Sequence, residues 1–212
     1  MKTLPLTGLA AALLLTTTLT VHAADTAEGK WLVRGRVVQV NPANDGGITN
    51  TSIGGKPKGD TDTVPEVDLT YFVTPNIGVE VIAATTKHDT KVARTGGNID
   101  LGSVRLLPPT ATVQYHFTNE QLGQFKPYVG AGITYAHFYD ADHPGFNSVK
   151  YDDSFGVALQ AGVDYKLTDN IYLNADIKKI YVSTDVSVNN GAVTAKAELN
   201  PVVAGLGIGY RF

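Results

Sequence analysis

The side chains able to do acid–base or metal chemistry are few and scattered. Leaving aside His22 near the start, the histidines are His88, His116, His137 and His143, and the one cluster of ligand types is Asp140, Asp142 and His143. A histidine near a membrane surface would act on lipid only with a hydroxyl or carboxyl partner at fixed reach, and no serine stands at a recognisable spacing from His137. A short acidic stretch with one histidine is ordinary solvated surface, so no metal site is assigned at 140–143. The glycines of "YVGAGI" lie inside a strand pattern and do not precede a helix, so they carry no nucleotide signal. With no cysteine, thiol catalysis and thiolate metal sites are excluded. We expect neither an enzyme nor a cofactor. The remaining chemistry is charge: Arg34, Arg36, Asp68, Glu80, Asp164, Asp176, Lys178 and Arg211 interrupt otherwise apolar segments.

The elements that position these charges read as strands. In "SFGVALQAGVDY" (154–165), one parity is Phe, Val, Leu, Ala, Val, Tyr and the other is Ser, Gly, Ala, Gln, Gly, Asp. This is a period of two with two different environments. The same pattern gives eight strands, at about 31–40, 64–74, 77–87, 106–117, 125–138, 154–165, 171–182 and 201–212. Long connections at 41–63, 88–105, 139–153 and 183–200 alternate with the short turns 74–76, 118–124 and 166–170. Residues 1–23 read as a secretory signal with Lys2 ahead of an apolar run and cleavage expected after Ala23, leaving one domain over 24–212. The formal net charge is −3, which speaks against a nucleic-acid partner.

Strands of about ten residues with alternating long and short connections fit an eight-stranded antiparallel up-and-down transmembrane β-barrel, an all-β fold. The competing architecture is a soluble barrel with an apolar inside. Here, however, the apolar parity ends in aromatics, as in Phe155…Tyr165 and Tyr210…Phe212, which marks a face turned to lipid. The barrel is therefore expected in a bacterial outer membrane, as a monomer amid lipid and lipopolysaccharide.

If the apolar parity faces lipid, the inward residues divide by height. Arg34, Arg36, Glu80, His116, Asp164 and Arg211 fall low, with Asp68, Asp176 and Lys178 nearer the middle. Buried charges of both signs must pair, so the lower lumen is expected to be a salt-bridged plug. Toward the outer end fall Val38, Val40, Val64, Ile82, Ala84, Ala136, Ala158, Ile180, Val182 and Val203. An apolar upper lumen suits a small hydrophobic solute; alternatively these residues are simple core filling. Pro108 and Pro109 break the wall in "RLLPPTATVQYHF" (105–117). Consecutive N–H groups of an antiparallel strand point to opposite neighbours, so the pair removes one bond on each side. They either open the wall or merely begin the strand above the membrane.

"LTYFVTPNIGVEVIAAT" (69–85), "LLPPTATVQYHF" (106–117), "KPYVGAGITYAHFYD" (126–140), "DDSFGVALQAGVDYKLTDNIYLNADIK" (152–178) and "GLGIGYRF" (205–212) resemble the OmpW family of outer-membrane proteins, which includes the hydrocarbon-uptake protein AlkL. The resemblance implies lateral passage of small hydrophobic compounds from an apolar lumen through the wall at Pro108 and Pro109. It also implies a lumen constriction at Ile82 and Lys178, where the lysine departs from the aromatic the family carries, and recognition of the final Phe212 by the barrel-assembly machinery. The expected function is uptake of small hydrophobic molecules. The alternative is a structural or interaction barrel whose external loops bind lipopolysaccharide, phage or host surfaces.

Overall fold

A computed structural model describes residues 29–43, 56–93, 99–142, 148–188 and 193–212. The signal segment 1–23 and His143 lie outside them, as do the side chains of His88, Asp140 and Asp142. The strands are β1 (Trp31–Asn41), β2 (Lys56–Gly59), β3 (Asp62–Phe72), β4 (Ile77–Ala84), β5 (Thr86–Ala93), β6 (Ile99–Leu107), β7 (Thr110–His116), β8 (Phe125–Asp142), β9 (Val149–Tyr151), β10 (Ser154–Lys166), β11 (Ile171–Tyr181), β12 (Ser183–Val188), β13 (Val193–Glu198) and β14 (Val202–Arg211). No described helix is long and apolar enough to cross a membrane.

Eight wall strands close on themselves. The hydrogen-bonded order β10-β11-β14-β1-β3-β4-β7-β8 is completed by pairing of β8 with β10 from Ala136↔Ser154 to Phe125↔Tyr165. The last strand shuts against the first: Trp31 N–H donates to Phe212 C=O at 3.0 Å, and Phe212 N–H to Trp31 C=O at 2.8 Å. Closure leaves no unpaired edge, a condition for strands in hydrocarbon.

Two of the short turns are built alike. Thr74 Oγ1 accepts the Ile77 N–H at 3.0 Å while Asn76 Nδ2 donates to His116 C=O at 2.8 Å. Thr168 Oγ1 accepts the Ile171 N–H at 3.1 Å while Asn170 Nδ2 donates to Arg211 C=O at 2.7 Å. In each, a Thr-x-Asn sequence satisfies the turn and ties it to the adjacent wall strand, the use of Asn and Thr expected at tight turns.

The outer connections carry strands of their own. β5 and β6 prolong the β4–β7 hairpin outward, with β2 paired on β5. β12 and β13 prolong β11–β14, with β9 paired on β12. Segments 88–105 and 183–200, expected as long loops, are therefore largely hairpin. Their polar composition hides the alternation because neither face of these extensions meets lipid.

The two faces of the wall are opposite in character. Outward side chains such as Leu206 (69% exposed) and Ile133 (61%) form an apolar band, whereas inward Arg34, Thr70 and Glu80 are fully buried. A soluble barrel would have the reverse arrangement. Gly162, on the inward parity, is required by a close approach: a Cβ there would collide with the Tyr128 ring lying across it.

Candidate functional site

The lower lumen is a network of charges fixed by strand pairing. Arg34 and Arg36 stand on β1 opposite Asp68 and Glu66 on β3, so inward alternation places cation beside carboxylate. Arg34 Nη1 meets Asp68 Oδ1 at 2.8 Å, and its Nη2 and Nε grip Asp164 at 2.8 and 3.1 Å in a two-pronged contact. Arg36 Nε meets Glu66 Oε1 at 2.8 Å and its Nη2 meets Asp68 Oδ2 at 2.8 Å and Glu80 Oε1 at 3.3 Å. Neutral groups use the remaining lone pairs: Tyr128 Oη and Gln160 Nε2 each donate to Asp176 Oδ2 at 2.9 Å, and Thr112 Oγ1 donates to Glu80 Oε2 at 3.0 Å. Dense pairing of opposite charges is what makes their burial tolerable.

Beneath the network, aromatic rings close the lumen toward the short turns. His116 stacks on Tyr128 with centroids 4.9 Å apart and meets the edge of Phe72 at 4.8 Å. Arg211 lies among these rings, its guanidinium 3.9 Å from the Phe72 ring centroid and its Nε donating to Gly29 C=O at 2.6 Å.

Lys178 joins the network as well. Its Nζ lies 2.8 Å from Glu66 Oε1 and 3.1 Å from Asp176 Oδ1, and the residue is 2% exposed. Ile82 is also buried, on β4 between Asp68 of β3 and Thr110 of β7 in the ladder. At the constriction expected from Ile82 and Lys178, the lysine thus turns to the carboxylates and serves as the roof of the charged floor.

Above the floor, Val38, Val40, Ala136, Ala158, Ile180, Val182 and Val203 pack into one cluster with Val64 against it. Ala84 is inward and half-buried beside the break in the wall described next. Leu106, Phe138 and Leu199 complete this cluster. Leu106 and Phe138 stand at the ends of the strands expected at 106–117 and 125–138 and share their even inward parity, whereas Leu199 falls in the expected loop 183–200.

The wall is broken at the two prolines. The β4–β7 ladder stops at Ile82↔Thr110, and pairing resumes at Thr86↔Leu106 in the same register, leaving 83–85 opposite 107–109 without ladder pairs. On the other side the ladder with β8 stops at Thr110↔Thr134 and resumes at Leu107↔His137. There the break is bridged by Tyr135 N–H donating to Pro109 C=O at 3.0 Å. Because His116 N–H donates to Asn76 C=O and Phe117 N–H to Pro127 C=O, even residues of this strand address β4 and odd ones β8. Pro108 therefore faces the Ala84 carbonyl and Pro109 the Tyr135 carbonyl, each without a donor to offer.

From Phe117, at the lower aromatic belt, Pro109 lies about 20 Å up the wall at about 3.3 Å per residue and a tilt of about 40°. The apolar band of such barrels is about 25 Å tall, so the break falls within its outer part. Two inward hydroxyls that sequence reasoning missed sit directly beneath it. Thr110 Oγ1 lies 3.0 Å from Pro108 C=O and 2.9 Å from Thr134 Oγ1, which lies 3.5 Å from Pro109 C=O. They supply local partners where the ladder does not.

His137 points outward at the rim, its Nδ1 2.8 Å from Asp153 Oδ2. Asp153 also accepts from Tyr135 Oη at 2.8 Å and from Phe138 N–H at 3.0 Å. These bonds, with that from His137 foremost, hold the Asp153 carboxyl below its usual range, at about 2. This is an interface cluster that fastens the loop to β8. Among the described residues no group of three or more metal-ligating side chains occurs.

A closed eight-stranded antiparallel barrel, apolar without and charged within, is an outer-membrane β-barrel. The chain belongs to the OmpW family, whose model matches residues 27–212. It is 34% identical over 197 residues to outer membrane protein W of Vibrio cholerae, covering 87% of this chain and 89% of that one. Its structure resembles the crystal structure of OprG from Pseudomonas aeruginosa (TM-score 0.77, 29% identity, 87% and 96% of the two chains). It also resembles the solid-state NMR structure of AlkL in lipid bilayers (TM-score 0.71, 25% identity, 93% and 97%). The relatives are named outer-membrane proteins.

Proposed function

We propose that this barrel is a channel for uptake of small hydrophobic molecules, which enter the apolar upper lumen from outside and leave sideways through the wall at Pro108 and Pro109. The observation that carries this reading is the loss of ladder pairs between 83–85 and 107–109, within the apolar band and directly beside the upper cluster. In hydrocarbon an unmet backbone group costs several kcal/mol, so a closed barrel has no reason to keep such a break unless it serves passage. The charged floor below argues the same way. A solute reaching it would have to separate buried ion pairs to continue downward, whereas moving sideways requires only the displacement of small side chains such as Ala84 and Ala136. The likeness to AlkL, a hydrocarbon-uptake protein, supports the choice of solute class.

The test is uptake of n-octane and of a similarly sized polar solute by cells that differ only in this protein. Faster entry of octane alone is the expected result. Equal octane entry with and without the protein would refute the proposal.

A further inference from the structure

We propose that the part of the wall that moves is the segment 83–85 and not the proline strand itself, and that a hydrogen bond between Thr85 and Tyr139 latches it shut. This rests on the lateral-exit reading above. It begins from a third proline. Phe72 N–H donates to Lys30 C=O and Val73 N–H to Ile77 C=O, so even residues of β3 address β1 and odd ones address β4. Pro65, an odd residue, therefore faces the Thr85 carbonyl with no N–H, and the β3–β4 ladder ends one step short of it, at Glu66↔Ala84.

Two consecutive carbonyls of one strand, Ala84 and Thr85, thus face prolines on opposite neighbours. Pro108 removes the donor on the β7 side and Pro65 the donor on the β3 side. The proline strand keeps one tie across its own break, the Tyr135 N–H to Pro109 C=O bond. β4 ends at Ala84, and within 83–85 only Ala83 and Ala84 keep ladder pairs, both with β3 at Val67 and Glu66; their small side chains add little bulk to hold the segment.

Past the last β3 pair, what holds the segment at Thr85 is a side chain reaching over the neighbouring strand. Thr85 Oγ1 and Tyr139 Oη are 2.7 Å apart. Thr85 lies opposite Leu107, and Tyr139 pairs with Arg105 on the far side of that strand, so the bond crosses the outer surface of β6 just above the break. Tyr139 is a rigid post. Its ring stacks on His137 at 6.2 Å and His137 on Tyr135 at 6.3 Å, and Asp153 ties both of the latter in place. A segment whose ladder to β3 ends at Ala84, fastened at Thr85 by one hydroxyl pair to a braced post, has the construction of a latch.

The experiment measures entry of N-phenyl-1-naphthylamine into cells carrying wild type, Tyr139→Phe, Thr85→Val or both, with heat-modifiable gel migration as the check on folding. One lost hydrogen bond corresponds to about a twofold to tenfold faster opening. Each single variant is expected to speed entry by that factor, the double variant no more than the faster single one, and neither to act when Pro108→Thr and Pro109→Val are also present. Hydrogen exchange at 83–85 is expected to rise in both single variants, with exchange in β11 and β14 unchanged. Unchanged exchange at 83–85 in both folded single variants, or additive effects on entry, would overturn the latch. Faster exchange at 83–85 without faster entry in any variant, wild type included, would uphold the latch and count against the channel.

Discussion

Replacing Pro108 with Thr and Pro109 with Val restores one N–H aimed at the Ala84 carbonyl and one aimed at the Tyr135 carbonyl. Both new residues are strand formers, and the register on either side of the break is already continuous, so the ladder can zip through without a shift. A net hydrogen bond contributes about 0.5–1.5 kcal/mol, so two make the closed wall about 1–3 kcal/mol more stable. If lateral exit requires separating the wall there, opening becomes rarer by about fivefold to over a hundredfold, at tenfold per 1.4 kcal/mol. Uptake of octane by cells should fall accordingly, while the barrel in detergent should unfold at a higher temperature. The opposing changes in transport and stability distinguish this mechanism from simple damage. A folded double variant that is more heat-resistant yet takes up octane at the wild-type rate would show that the wall at this point plays no part.

The charged floor yields further expectations. Arg34→Met removes the two-pronged arginine from Asp164 and leaves Asp68 with Arg36 alone, and should destabilise the barrel by about 3–5 kcal/mol, read as a lower urea midpoint in detergent. Lys178→Met should cost less, about 1–3 kcal/mol, because Arg36 still meets Glu66 and Tyr128 and Gln160 still bond Asp176. Gly162→Val should block assembly of heat-modifiable barrel, since no rotamer of valine avoids the Tyr128 ring. The tie between Asp153 and β8 should tolerate acid. Its carboxyl is depressed to about 2, so the stabilisation present above about pH 4 is lost only as pH falls toward 2, which the carboxyl carbon-13 shift of Asp153 would report. Wild-type protein in a planar bilayer should show no steady porin-like conductance.

Much of the barrel was legible because lipid outside and packed charge inside impose opposite demands on alternate residues. The period of two in 154–165 is visible for that reason, and the strands read there and at 171–182 agree with β10 and β11 to within about one residue at their ends. The outer hairpins were not legible. In β12 the buried face is Thr184 and Val186 and the other is Ser183, Asp185 and Ser187, so the contrast between faces is weaker than in the wall. The site was legible in part: inward parity picked out the charged residues of the floor except Glu66, which lies near the start of its strand. The hydroxyls of Thr110 and Thr134 were invisible, since a threonine in a strand is ordinary and acquires meaning only from the proline carbonyl beside it.

By itself the sequence determined composition on each face, the number of wall strands and the presence of prolines without a ladder donor, because these depend only on residue type and local periodicity. Which carbonyls those prolines face depends on register and on which strands are neighbours. Only the tertiary structure decided that Pro65 and Pro108 bracket the same two residues of one strand, that Lys178 folds into the floor, and that Tyr139 reaches Thr85 across an intervening strand. These relations join residues from 20 positions apart, Pro65 and Thr85, to 112 apart, Glu66 and Lys178, and spacing along the chain carries no information about such contacts until the barrel closes.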